Sequence, residues 1–162
     1  MPAFDAVVDV VGPRGERTLP LKDLHVEPGD DPAREHTLNP GELLLRIRVP
    51  ATPAGRGSTY LKIRDRESCA FALASAAVAL TVEDGVVRDC RIALGGVATR
   101  PWRAEDAERT LRGAPLTAEA ARQAGEIAFA GARPGTSNGF RVEPGIRTVA
   151  DEVRIAAERA AR

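Results

Sequence analysis

The order of strand and helix signals predicts an α+β fold: an antiparallel three- to four-stranded sheet packed against about three C-terminal helices, preceded by a small β subdomain. Three observations carry this expectation. Strand-like segments come one after another up to about residue 95, and helical periodicity takes over after Pro101. Between two apolar arms, Glu83-Asp84-Gly85 is a tight-turn sequence in which glycine accepts positive φ. Helices do not alternate with strands, so a parallel βαβ sheet is not expected.

Phe4 to Val11 is valine-rich with loose alternation, and Pro13-Arg14-Gly15 turns it toward a second short strand, Arg17 to Leu21. Residues 26–40, VEPGDDPAREHTLNP, carry too few apolar side chains to form a core and read as a loop. Glu42 to Val49 reads as a strand with Leu43, Leu45, Ile47 and Val49 on one face. A flexible connector, 50–57, leads to a strand over Thr59 to Ile63. Ala70 to Val82 and Val86 to Leu94 are the arms of the hairpin. The first arm is alanine-rich, so local propensity leaves a helix as its rival.

Beyond Pro101, Ala104, Ala107 and Leu111 recur at helical spacing, with Gly113 placed to end the helix. Thr117 is an N-cap for a second helix reaching Gly131, with Ala120, Ala124, Ile127 and Ala128 along its apolar face. From about Pro144, Ile146, Val149, Val153, Ala156 and Ala160 form a third apolar stripe. Pro101-Trp102-Arg103 reads as a packed corner between strand and helix.

Composition excludes several function classes. Lysine plus arginine and aspartate plus glutamate number 23 each in 162 residues, so no global field recruits nucleic acid or an acidic membrane. No apolar run approaches the roughly 18 residues of a membrane span. The N-terminus lacks the basic segment and apolar core of a signal peptide. Cys69 and Cys90, with His25 and His36, give no metal-ligand spacing, and the two thiols are expected to be reduced and buried in a cytoplasmic protein. Neither histidine lies near a nucleophile motif. The glycines at Gly55-Arg56-Gly57, Gly95-Gly96 and Gly135–Gly139 read as turns rather than phosphate loops.

TYLKIRDR, the small-residue arm AFALASAAVAL, the Asp84-Gly85 turn and IALGGVATRPWR occur in this order between Ser58 and Arg103. In that order they resemble the C-terminal domain of the flavin subunit of the xanthine dehydrogenase/carbon monoxide dehydrogenase family of molybdenum hydroxylases. A weaker likeness extends over about residues 5–160. The resemblance implies that the alanine-rich arm is a strand. It also implies a division into 1–57, a remnant of the flavin-binding domain, and 58–162, a CO dehydrogenase flavoprotein C-terminal-like domain.

In such a complex electrons released at a molybdopterin centre pass through [2Fe–2S] clusters to FAD and on to an external acceptor. The implied partners are the molybdopterin large subunit, the [2Fe–2S] small subunit and a separate upstream flavin-domain chain. Two cofactor-binding positions carry over: Leu44 in GELLLRIRVP and Lys62 in TYLKIRDR. An ammonium at the flavin's N1–C2=O edge would favour the charge that reduction places there; a leucine would pack on the ring. No catalytic residue and no metal ligand is implied. The family's AGGT-like and GGN-like loops are not among these residues, so the isolated chain is expected not to retain FAD. A docking module or truncated product that binds no flavin by itself is the alternative. Pro144-Gly145 departs from the family's continuous last helix, which leaves the start of that helix open.

Overall fold

The computed structural model describes residues 1–29 and 31–161. They form the expected α+β arrangement of two antiparallel sheets and a layer of helices. The first sheet contains β1 (Val7–Gly12), β2 (Gly15–Pro20) and β3 (Leu43–Arg48), in the order β2-β1-β3. The second contains β4 (Ser58–Ile63), β5 (Ala74–Glu83), β6 (Val86–Gly95) and β7 (Trp102–Arg103), in chain order. The helices are α1 (Glu105–Leu111), α2 (Ala118–Phe129) and α3 (Val142–Ala160).

In the first sheet, fully buried Val8 and Val10 alternate with half-buried neighbours, as a strand with one covered face requires. They pack with Leu19, Leu21 and Leu24 into a small core of their own. The following loop is ordered by polar contacts: Arg17 donates to both carboxylate oxygens of Glu42, at 3.0 and 2.8 Å, and to the Thr37 carbonyl at 3.2 Å.

The face expected for β3 is not the one observed. Val10 pairs with Leu44 and Asp9 with Arg46, so Leu45 is an extra residue in a β-bulge. The bulge breaks the period of two. Leu44 and Ile47 therefore share a face with Val10 and Val8, while Leu43 pairs with Val11 on the opposite side. Every residue of β3 is exposed.

The alanine-rich arm is a strand, not a helix. Asp84 at φ 51° and Gly85 at φ 74° give the two positive-φ positions of a tight hairpin turn, which fixes β5 against β6. Paired on both sides, β5 sits inside the sheet, and this tertiary pairing overrides alanine's helical preference. Its Ala76, Val78 and Leu80 face the helices, whereas Ser75, Ala77 and Ala79 lie on the other face. The small side chains therefore serve both faces rather than only the helix contact.

Helix signals translate closely. Thr117 Oγ1 accepts from the Ala120 N–H at 3.1 Å at the start of α2. The most buried stripe of α2 is Ala121, Ala124 and Gly125, rotated from the expected one because α1 and α3 both pack on this helix. The third helix starts at Val142, ahead of Pro144. Proline is tolerated there because the first-turn N–H groups have no intrahelical acceptor. Gly145 is required by packing: a Cβ on it would lie 2.2 Å from Phe129 Cζ, so its absence lets the α2 ring lie against α3.

Cys90 is buried as expected. Cys69 is exposed, in the connector after β4 and at φ 49°, which corrects the expectation of two buried thiols.

Candidate flavin-facing site

Lys62 and Leu44 both lie on edge strands. Along β4, Thr59, Leu61 and Ile63 pair with Val78, Ala76 and Ala74 on the helix side, which leaves Tyr60 and Lys62 on the outer side. There Lys62 stands opposite Ser75 and Tyr60 opposite Ala77. Next to Lys62 the outer side is low, with Ser75, Ala77 and Gly95 across the strands, whereas farther along it Arg91 and Arg103 stand opposite the buried Ala79 and Ala93. Part of the sheet is packed by the short turn Pro2–Phe4, which contacts β5, β6 and β7. At β4 the surface is open: Tyr60 is 62% exposed. Lys62 is half-buried, and its ammonium makes no ion pair or side-chain hydrogen bond among the described residues.

Leu44 stands opposite Val10 on β3, 39% exposed. It shares no strand pairing with Lys62, and neither residue lines the cleft between the β6–β7 loop and the facing ends of α2 and α3. The two sequence-derived positions are thus open edge-strand surfaces rather than one closed pocket.

Among the described residues no group of histidines, cysteines and acids could hold a metal ion. Among the described residues no helix is long and apolar enough to cross a membrane. Gly57 and Gly95 are committed to packing: a Cβ on Gly57 would lie 2.4 Å from the Leu80 carbonyl oxygen, and one on Gly95 would lie 2.7 Å from Ser75 Oγ. Around Lys62 the described residues fit the charge-bearing edge of a flat ring, and the packed turns at Gly57 and Gly95 give no open loop for a dinucleotide's phosphates.

The strongest electrostatics lie elsewhere and are structural. Glu108 is 2% exposed on the apolar side of α1 and accepts from the Ile92 N–H at 2.8 Å. The Arg103 guanidinium closes over the same carboxylate and also reaches the Pro2 carbonyl and Asp5, both at 2.8 Å. Burial opposes the charge on Arg103, but the hydrogen bonds to Glu108 and Asp5 outweigh it and raise the pKa. Burial, with Glu108 nearby, pushes the Cys90 thiol up to about 12, so it is inert as a nucleophile. Hydrogen bonds from Arg17, and from the backbone of Asn39, hold Glu42 down at about 2.

This network joins the N-terminal turn to the second sheet, and sequence reasoning missed it. Its one signal was an acid, Glu108, inside the Ala104/Ala107/Leu111 stripe. Trp102 and Arg103 of the expected corner form the two-residue β7; the Arg103 side chain is packed there, whereas Trp102 is 41% exposed.

Residues 59–144 match the family model described as the CO dehydrogenase flavoprotein C-terminal domain. The chain is 40% identical to the aldehyde oxidoreductase FAD-binding subunit PaoB of Escherichia coli K12, over 93% of this chain and 44% of that protein. It is 32% identical to the carbon monoxide dehydrogenase medium chain of Afipia carboxidovorans, over 99% of this chain and 54% of that one. The chain spans about half the length of the curated relatives it matches. Among solved structures, a chain of the cyanide-inactivated Cu,Mo-CO dehydrogenase superposes with TM-score 0.88 at 31% identity, over 99% of this chain and 55% of that one. The hairpin and helix layer that the matched residues build are therefore those of known flavoproteins, and the protein belongs to the family of CO dehydrogenase flavoprotein C-terminal domains.

Proposed function

We propose that this chain supplies one wall of the FAD site in the flavin subunit of a molybdenum hydroxylase, with residues 1–57 as part of the flavin-binding domain and 58–162 as the C-terminal domain. The observation that carries the reading is Lys62: a half-buried cation without a carboxylate partner among the described residues, beside Ser75 and Ala77 at the open edge of the sheet. FAD, when bound, takes up electrons from iron–sulfur clusters and delivers them to an external acceptor. Lys62 holds a fixed positive charge for the ring edge that becomes negative on reduction. Leu44 gives apolar contact, and Ser75 and Ala77, opposite Lys62 and Tyr60, keep the surface beside the lysine low. The pyrophosphate falls to glycine-rich loops contributed by an upstream flavin domain, as a separate chain or in the same one. The molybdopterin and [2Fe–2S] subunits complete the complex.

A second reading is supported by β3, whose Leu43, Leu44, Leu45 and Ile47 are 39–68% exposed. A strand so apolar at a sheet edge serves as a docking surface even where no flavin is held.

Lysine acylation followed by mass spectrometry tests the first reading. The chain contains two lysines, Lys62 and the exposed Lys22, so the second is an internal control. In the flavin-loaded complex Lys62 is expected to be protected relative to the flavin-stripped complex, with Lys22 unchanged. Equal labelling of Lys62 in both would favour the docking module.

A further inference from the structure

On the helix side of the second sheet, away from Lys62, lies a cleft of about 510 Å³, within the size range of small-molecule sites. The β6–β7 loop, the C-terminal end of α2 and the start of α3 enclose it. Its apolar walls include Val97, Trp102 and Phe129. Trp102 pairs with Leu94 at the end of β6, so strand pairing sets where its partly exposed ring stands.

Two arginines, Arg133 and Arg141, also line the cleft, and neither forms an ion pair among the described residues. The other arginines near the core behave differently: Arg91, Arg103, Arg112 and Arg122 are each engaged by carboxylates. Arg141 Nε is buried without a hydrogen-bond partner, which is costly for a guanidinium unless something else accepts from it. Its Cζ lies 5.9 Å from the centre of the Phe140 ring, which holds the charge in place. Arg141 is also the residue before α3, and its side chain caps nothing. The acid lining the cleft, Glu27, is taken up by Arg100 at 2.7 Å. An aromatic wall with two uncompensated guanidiniums suits a flat ring carrying an anionic group.

We infer that this cleft binds a small ring-bearing anion, the ring against Trp102 and its phosphate or carboxylate between Arg133 and Arg141. The site is separate from the proposed flavin wall and does not depend on it.

Trp102 is the only tryptophan in the chain, so its emission reports on the cleft alone. Fluorescence of the full chain, excited at a wavelength where the probes do not absorb, is titrated with AMP, benzoate and inorganic phosphate. AMP or benzoate is expected to quench Trp102 saturably, and inorganic phosphate to bind at least about tenfold more weakly, for want of a ring. Arg141→Gln and, independently, the surface change Arg133→Gln should each weaken binding about tenfold. Arg56→Gln, outside the cleft, should not. Circular dichroism establishes that each variant is folded, and Arg133→Gln keeps the test decisive if Arg141→Gln is not. Unsaturable quenching, saturation unaffected by the arginine changes, or phosphate binding as tightly as AMP would each overturn the assignment.

Discussion

Arg103 is fastened to Glu108 across the junction of β7 and α1, with Arg103 Nη2 donating to Glu108 Oε2 at 3.2 Å and its Nε to Oε1. Because Glu108 also accepts from the Ile92 backbone, one buried carboxylate ties sheet, helix and N-terminal turn together. Removing Arg103 leaves buried Glu108 with only the Ile92 N–H and the longer contact to Arg112, at 3.3 Å. Arg103→Met is therefore expected to cost about 3 kcal/mol in urea denaturation. A loss below about 1 kcal/mol would show that the pair is not a structural tie.

Among the described residues Glu152 is the other buried acid, 1% exposed on α3, with Oε2 lacking a hydrogen-bond partner. Burial raises its pKa, and a hydrogen bond from Thr59 and the charge of Arg159 offset only part of that. The stability conferred by the raised pKa is fully present below the unfolded value, about 4.3, and is lost as pH rises through the folded value. At neutral pH the charged carboxylate is a burden on the fold. Glu152→Gln should raise stability at pH 8 by about 1 kcal/mol, with a smaller gain at pH 4.5. Equal urea midpoints for both proteins at both pH values would count against this.

Gly145 and Phe129 offer a packing test. Gly145→Ala places a methyl where the Phe129 ring lies and should destabilise by about 1–3 kcal/mol. Phe129→Leu in the same chain should recover part of that loss, measured as a double-mutant cycle. Additive losses would mean that the ring does not set the helix contact.

These interactions show which parts of the fold could be read from the residues. The β5–β6 hairpin was legible because Asp84-Gly85 has few other uses, and α2 because Thr117 stands ahead of an apolar stripe. The β3 face was not, since one bulged residue, Leu45, reverses a period-two count and leaves no mark on composition. Glu108 and Glu152 were hidden because charged residues beside an apolar stripe are ordinarily solvated. Lys62 entered only through family resemblance; beside Arg64, Asp65, Arg66 and Glu67 it looks like one more surface charge. Its strand pairing separates it from them, for those four lie beyond the end of β4 and are exposed.

The exposed apolar strand β3 should make the isolated chain associate. Leu43→Lys, at a position 68% exposed, is expected to reduce self-association in sedimentation velocity. Its stability should stay within about 0.5 kcal/mol. Unchanged association would remove β3 as the contact surface.

The flavin midpoint potential in a complex carrying Lys62→Met reads the proposed role of this face most directly. Methionine keeps the side chain's bulk and removes the ammonium. A charge-assisted contact of about 1–3 kcal/mol corresponds to roughly 20–65 mV for a two-electron couple. The potential should therefore fall by tens of millivolts while the urea midpoint stays in place. A potential equal to that of the unsubstituted complex, with flavin fully loaded, would show that Lys62 does not face the ring.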